Sequence, residues 1–145
     1  MIGRAVVGIA LALVACDGKR APEAASRVRI ELVSPGEIRL VPEVQQLPNC
    51  LAFTASDAGV VRLLTMNEAG AAAPCPAGQP IGGVSFRIPK QEGHVRIIVV
   101  FADTAVESRA IAAEVRELAT RGKPVTGMDL RAPGNVAVGT IDFTP

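Results

Sequence analysis

The chain has no tryptophan and no tyrosine, only four phenylalanines, and a single histidine, His94. Without Trp or Tyr there is almost nothing on which to stack a nucleotide base, and the same lack argues against an enzyme that cradles sugar rings. With so few aromatics, a core must be built mainly from Val, Ile, Leu and Ala. A lone histidine leaves one candidate imidazole base. Neither a Gly-x-Ser-x-Gly elbow nor a His-Glu-x-x-His helix accompanies it, so the usual partners of such a base are not announced. An excess of one charge sign is missing too: 15 basic residues face 14 acidic ones, for a formal net charge of +1. A near-neutral chain lacks the long-range field that draws in nucleic acid, and no nucleic-acid partner is expected. Glycine pairs such as Gly82-Gly83 and Pro133-Gly134 match neither a phosphate loop nor a dinucleotide fingerprint, and read as turns. No cofactor is expected, and no metal-ligand set stands out. What is present is 49% hydrophobic and 20% charged over 145 residues, the composition and length of one globular domain.

The first residues stand apart from the rest. Met1 to Arg4 is short and basic, and Ala5 to Ala15 is a continuous apolar run of 11 residues. That is too short for a helix crossing a bilayer, which needs about 20 residues, but suits the apolar region of an export signal. The run ends in Leu13-Val14-Ala15-Cys16. These four residues resemble the lipobox of bacterial lipoproteins, with Leu three before the cysteine and a small residue directly before it. The resemblance implies cleavage before Cys16 and acyl chains on Cys16, which would make membrane lipid a partner of the chain. Two or three such chains form a stable anchor where one does not. Arg4 is the only charged residue ahead of Cys16, so the processed chain would be formally neutral. Asp17 resembles an inner-membrane retention signal of enteric-type bacteria; other lineages sort differently, and inner versus outer membrane stays open. The expected organisation is a signal peptide over 1–15, a lipidated cysteine and polar tether over 16–26, and one β-rich domain over 27–145.

Strand signals dominate that domain. Val28, Ile30 and Leu32 alternate with Arg27, Arg29 and Glu31, as on a strand with one buried face. Ser34-Pro35-Gly36 suits a type II turn, and Ile38 and Leu40 continue the pattern, predicting a hairpin. Cys50–Ala55 and Val60–Met66 predict a second strand pair around Ser56-Asp57-Ala58-Gly59. Val60-Val61-Arg62-Leu63-Leu64 is apolar on both faces apart from Arg62, the signature of a central strand. Residues 67–83 form a loop rich in Ala, Gly and Pro, the best place for variable or functional structure. Val84–Ile88 alternates again. Val95–Phe101, rich in β-branched side chains, is expected as a core strand. One helix is predicted over about 105–121: Thr104 and Glu107 form a capping-box pattern, Val106, Ile111, Val115 and Leu118 line one face, and Gly122 suits the C-terminal cap. In the last strand, about Val136 to Phe143, the apolar phase slips at Gly139, which a bulge there would repair. About seven strands and one helix predict a small antiparallel sandwich or open barrel, closed on one face or end by the helix.

Cys50 and Cys75 are a candidate disulfide pair if the chain is exported, tying the Pro-rich loop to a strand. Unpaired thiols are the alternative. The spacing is not that of a CxxC redox pair, and ligands for a metal are too few. His94 is expected at a strand edge near solvent, Asp129 and Asp142 as isolated acids, and Arg27, Arg29 and Arg39 on a solvated face interleaved with Glu31 and Glu37. Asp57-Ala58-Gly59-Val60-Val61-Arg62-Leu63-Leu64, a Pro/Gly loop, Ile88-Pro89 and Glu92-Gly93 resemble an uncharacterised family of small bacterial envelope domains. The similarity runs from about Leu47 to Val106. It implies a sandwich and a non-catalytic role, and transfers no site residue. The expected function is that of a membrane-anchored lipoprotein facing the periplasm or the exterior. Its domain would be a non-catalytic module that binds another envelope protein or supports the envelope, with no catalytic residue assigned. The alternative is a small envelope hydrolase with its residues scattered through loops.

Overall fold

A computed structural model describes residues 27–43 and 46–145; the predicted signal peptide, Cys16 and the tether lie outside them. Eight strands are formed: β1 (Val28–Ser34), β2 (Glu37–Pro42), β3 (Asn49–Ser56), β4 (Val61–Leu63), β5 (Ala73–Pro74), β6 (Phe86–Arg87), β7 (Val95–Ala102) and β8 (Val136–Phe143). One helix, α1, spans Ser108–Thr120. β1, β2 and β6 form a three-stranded sheet, while β4, β3, β7 and β8 form the second sheet in that order, with the short β5 also paired to β3. All pairings are antiparallel. The two sheets face each other as an open sandwich, and α1 packs on the outer face of the larger one. The expected mainly β domain with one helix is the fold observed.

Two cores follow from this layering, and one pair of strands serves both. Between the sheets, Val28, Ile38, Leu40, Phe86 and Ile88 meet Cys50, Ala52, Val95, Ile97, Val99 and Phe101. Between the larger sheet and α1, Leu51, Phe53, Ile98, Val100 and Ala102 meet Ile111, Val115, Val125 and Leu130. Successive residues of a strand point to opposite faces, so β3 and β7 must be apolar at nearly every position. That is why Val95–Phe101 carries the densest β-branched run of the domain.

The double covering also explains where single-face reading of the pattern fails. The bulge expected at Gly139 is absent: the β7–β8 register runs unbroken from Val95↔Phe143 to Ala102↔Val136. Val136 and Val138 pack toward α1, whereas Ala137, Ile141 and Phe143 pack toward the other sheet. The apparent slip of phase is one straight strand feeding two cores. Gly139 makes room instead for β1, since a Cβ there would lie 3.1 Å from Cβ of Arg27 and 3.2 Å from Cγ1 of Val28.

Val61–Leu63 is likewise an edge strand and not the central one expected. Its apolar residues do touch both cores, Val61 and Leu63 on the α1 side and Leu64 between the sheets. Its charge, Arg62, is met by Glu92 at 2.6 Å. Leu32 departs from its pattern too. It is 66% exposed, because β1 shifts register between Leu32 and Ser34 and the hairpin tip overhangs the core. The turn itself forms as expected, with Gly36 at φ +74°.

The C-terminal end of α1 also matches its signals. Gly122 sits at φ +65°, its N–H bonds to the Ala119 carbonyl, and the Lys123 N–H bonds to the Leu118 carbonyl, the paired bonds of a Schellman cap. The start does not match. The helix begins at Ser108, not near 105, and no side chain caps it, so the Thr104–Glu107 capping box is not made. The preceding residues are taken up by the Pro-rich loop: the Val106 carbonyl accepts the Ala72 N–H at 2.8 Å, and Glu107 bridges Ala71. No helix among the described residues is long and apolar enough to cross a membrane.

Candidate functional site

α1 is shorter than the sheet face it covers, and the sequence of each strand changes character where the helix stops. Along β7, Ala102, Val100 and Ile98 are buried under α1, and the next residues on that face are Arg96 and His94. Along β8, Val136 and Val138 give way to Thr140 and Asp142, both exposed. Along β3, Leu51 and Phe53 give way to Ala55, and Asp57 follows in the turn. The uncovered end of the face forms a cleft of about 490 Å³ bounded by the turn Ser56–Gly59, the start of β7 and the C-terminal end of α1. Its floor is Ala55, Ile98, Ala119 and Val125, and its polar groups are Ser56, Asp57, His94, Arg96, Thr120 and Lys123. A cavity of this size, with an apolar floor and a few converging polar groups, has the character of a ligand site.

His94 organises the rim. Its backbone carbonyl accepts the Asp57 N–H at 3.3 Å, and its Nδ1 lies 3.1 Å from Oδ1 of Asp57. Its Nε2 lies 3.7 Å from Oδ1 of Asp142, and the same oxygen is 3.4 Å from Nε of Arg96. One imidazole thus ties together the β3–β4 turn, the start of β7 and the end of β8. Asp142, read from sequence as isolated, faces Arg96 directly across the β7–β8 ladder, where opposite charges attract. The sequence does place His94 correctly at a strand edge near solvent. Its carboxylate partners were out of reach until strand register was known.

Of the two hydroxyls in the cleft, that of Thr120 gives its proton to a backbone carbonyl, whereas that of Ser56 acts as an acceptor and keeps its proton. Ser56 Oγ accepts the Val60 N–H at 3.2 Å, and Thr120 Oγ1 donates to the Arg116 carbonyl at 2.8 Å. The described residues contain no group of three His, Cys, Asp or Glu side chains arranged to hold a metal. Arg96 and Lys123 balance Asp57 and Asp142 in formal charge, so the rim presents both signs in close quarters.

The remaining residues singled out from the sequence lie elsewhere. Cys50 on β3 and Cys75 beside β5 form a disulfide, with Cα atoms 5.9 Å apart and both residues buried. It sits between the sheets, away from the cleft, and pins the Pro-rich loop, whose Cys75 N–H also bonds to the Pro48 carbonyl. Asp129 is not isolated either: it accepts from the Thr126 hydroxyl at 2.6 Å and the Thr126 N–H at 3.1 Å. Those two bonds, helped by Lys123, hold its carboxyl below the ordinary value. Arg29 pairs with Glu31 at 3.0 Å and with Glu43 at 3.6 Å, and Arg39 lies opposite Glu31, so the outer face of the small sheet is the interleaved charged surface expected.

Glu37 forms a second polar cluster at the end of the hairpin. The hydroxyls of Ser85 and Ser34 donate to its carboxylate, and Arg87 stands 3.6 Å away. Ser85 first, then Ser34 and Arg87, draw its carboxyl below the ordinary value. These contacts join β2 to the approach of β6 and serve the fold rather than a cleft. Compared with known proteins, the chain matches no family model, no curated protein and no solved structure.

Proposed function

We propose that the chain is a bacterial lipoprotein, exported and anchored through acyl chains on Cys16. Its single β-rich domain then serves as a non-catalytic binding module of the cell envelope. The observation that carries this reading is the basic start, short apolar run and Leu13-Val14-Ala15-Cys16 box at the head of the chain. The buried Cys50–Cys75 disulfide supports it, because such bonds persist in oxidising compartments outside the cytoplasm. The cleft at the end of α1, with an apolar floor and a few converging polar groups, supports a binding role. Its apolar floor and two-signed rim suit part of another envelope protein.

Expression of the chain and its Cys16→Ser variant, with labelled palmitate, tests the anchor. The parent should partition into the membrane fraction carrying label, and the variant should do neither. A variant that stays in the membrane pellet and still takes up label would refute it. A second reading, a small envelope hydrolase, draws on one feature: Asp57 holds Nδ1 of His94 as an orienting acid holds a catalytic imidazole. Specific turnover that disappears in His94→Gln while the fold persists would favour that reading over the first.

A further inference from the structure

We infer that the domain touches the bilayer that anchors it, and that Met128, with Arg27 beside it, is the point of contact. The inference rests on the lipid anchor proposed at Cys16 and names the surface which that anchor brings against lipid. Met128 is the most exposed large hydrophobic side chain among the described residues, at 96%, and belongs to neither core. It does not hang on a loose loop. Thr126 and Asp129 cap each other around the short turn Gly127–Asp129. Gly127 seats that turn on β8, so close that a Cβ there would lie 2.5 Å from the Val136 carbonyl oxygen. Both ends of the turn are fixed inward, and its middle residue is held out into solvent.

Single exposed apolar residues are common and need no purpose, so the surroundings of Met128 decide. It borders a shallow groove whose lining also includes Val125, Val136, Val138 and Arg27. Arg27 is where the described domain begins, and Cys16 lies eleven residues before it. A chain of that length spans at most about 40 Å when fully extended, so an acylated Cys16 keeps the domain at the lipid surface and holds the root of the tether nearest to it. Tethering makes the second contact intramolecular, so one apolar side chain, too weak to bind a vesicle from solution, is enough to set the domain's orientation.

The chemistry suits the boundary between headgroups and acyl chains. Methionine is unbranched and pliable, and needs no shaped pocket. Arg27 donates one N–H to Oε1 of Gln46 at 3.2 Å; the rest of its guanidinium is placed to meet a lipid phosphate, with its stem along apolar surface. The carboxylate next to Met128, on Asp129, is turned onto the Thr126 hydroxyl and N–H, and Lys123 offsets its charge. Other exposed apolar residues lie elsewhere. Leu32 is five residues along β1 from Arg27, about 16 Å away. Met66, 84% exposed, follows β4, on the opposite edge of the larger sheet from β8.

The chain has no tryptophan, so an introduced indole reports on one position alone. Full-length Met128→Trp, Met66→Trp and Leu32→Trp are purified in detergent, checked for acylation of Cys16 by mass spectrometry, and reconstituted into phospholipid vesicles. All three positions are exposed, so the fold should survive, as circular dichroism can check. Lipids brominated on their acyl chains quench an indole only at close range. The tryptophan at position 128 should shift its emission to the blue and lose most of it in brominated vesicles, while those at 66 and 32 keep theirs. Adding Arg27→Glu to Met128→Trp should weaken the quenching. Equal quenching at all three positions, or quenching at 32 or 66 in place of 128, would overturn the contact. An unquenched indole at 128 in acylated protein would overturn it too, and leave the anchor standing. A Cys16 without acyl chains would bring down the anchor and the contact together.

Discussion

Thr54 lies at the centre of β3 with no exposed surface, and its hydroxyl has no hydrogen-bond partner among the described residues. Thr65, also buried, shows the contrast, because its Oγ1 accepts the Ala52 N–H at 2.9 Å and extends the ladder beyond β4. An unpaired buried hydroxyl costs about 1–3 kcal/mol. Thr54→Val keeps the shape and β-branching while removing that group, so it should stabilise the domain by about 1 kcal/mol and raise the melting temperature by a few degrees. Thermal unfolding followed by circular dichroism measures it; a lower melting temperature would show that the hydroxyl is bonded after all. Glu37 supplies a second test. Its folded carboxyl titrates below the ordinary value of 4.5, so the unfolded chain takes up the proton first as the pH falls. The stabilisation is thus complete above that value and disappears as the pH drops through the folded one. Glu37→Gln should melt below the parent at pH 6, and the gap should narrow progressively towards pH 3. A gap independent of pH would mean that the Ser34 and Ser85 contacts work equally well with a neutral group.

At the scale of single elements, the sequence is most legible where one local rule acts alone. The Pro35-Gly36 turn, the extent of β8 and the Gly122 cap depend on nearby backbone geometry, and each forms as read. The helix start fails because the capping box competes with a tertiary partner: the Ala71–Ala72 segment binds Val106 and Glu107 and keeps them extended. The cleft was even less legible. Its lining comes from two strands, a turn and a helix end, and only register brings Asp57 and, from β8, Asp142 to His94. The Pro-rich loop, read as the best place for variable or functional structure, is anchored to β3 by the disulfide. That bond closes a sequence separation of 25, which in the chain-entropy model is worth about 3 kcal/mol. Replacing both cysteines with alanine should therefore lower stability by roughly that amount. Because both cysteines are buried, native protein should resist a mild reductant, yet release two labelled thiols once unfolded in its presence. Rapid thiol release from the native state would place the bond nearer the surface than the structure does.

For the whole molecule, the decisive feature is that β3 and β7 belong to two cores at once. Cys50, Ala52, Ile97, Val99 and Phe101 face the small sheet, while Leu51, Phe53, Ile98 and Val100 face α1. Neither outer layer has a core of its own. The helix layer cannot lose its packing without exposing one side of β3 and β7, and the small sheet cannot detach without exposing the other. This sharing accounts for the extreme apolarity of the central strands, and for the difficulty of reading β8 and Val61–Leu63 by a single-face rule. It also predicts how the domain comes apart. Ile111→Ala in α1 and Ile38→Ala in β2 each remove a fully packed side chain from a different core, at a cost of about 2–5 kcal/mol. Were the layers independent, each substitution would soften one layer and leave the other melting at its original temperature. With β3 and β7 common to both, each should move one and the same cooperative transition downward, with calorimetric and van't Hoff enthalpies in agreement. Scanning calorimetry of both variants decides it: a second, unshifted transition in either one would mean that the helix layer and the small sheet fold as separate units, and that the shared strands do not couple them.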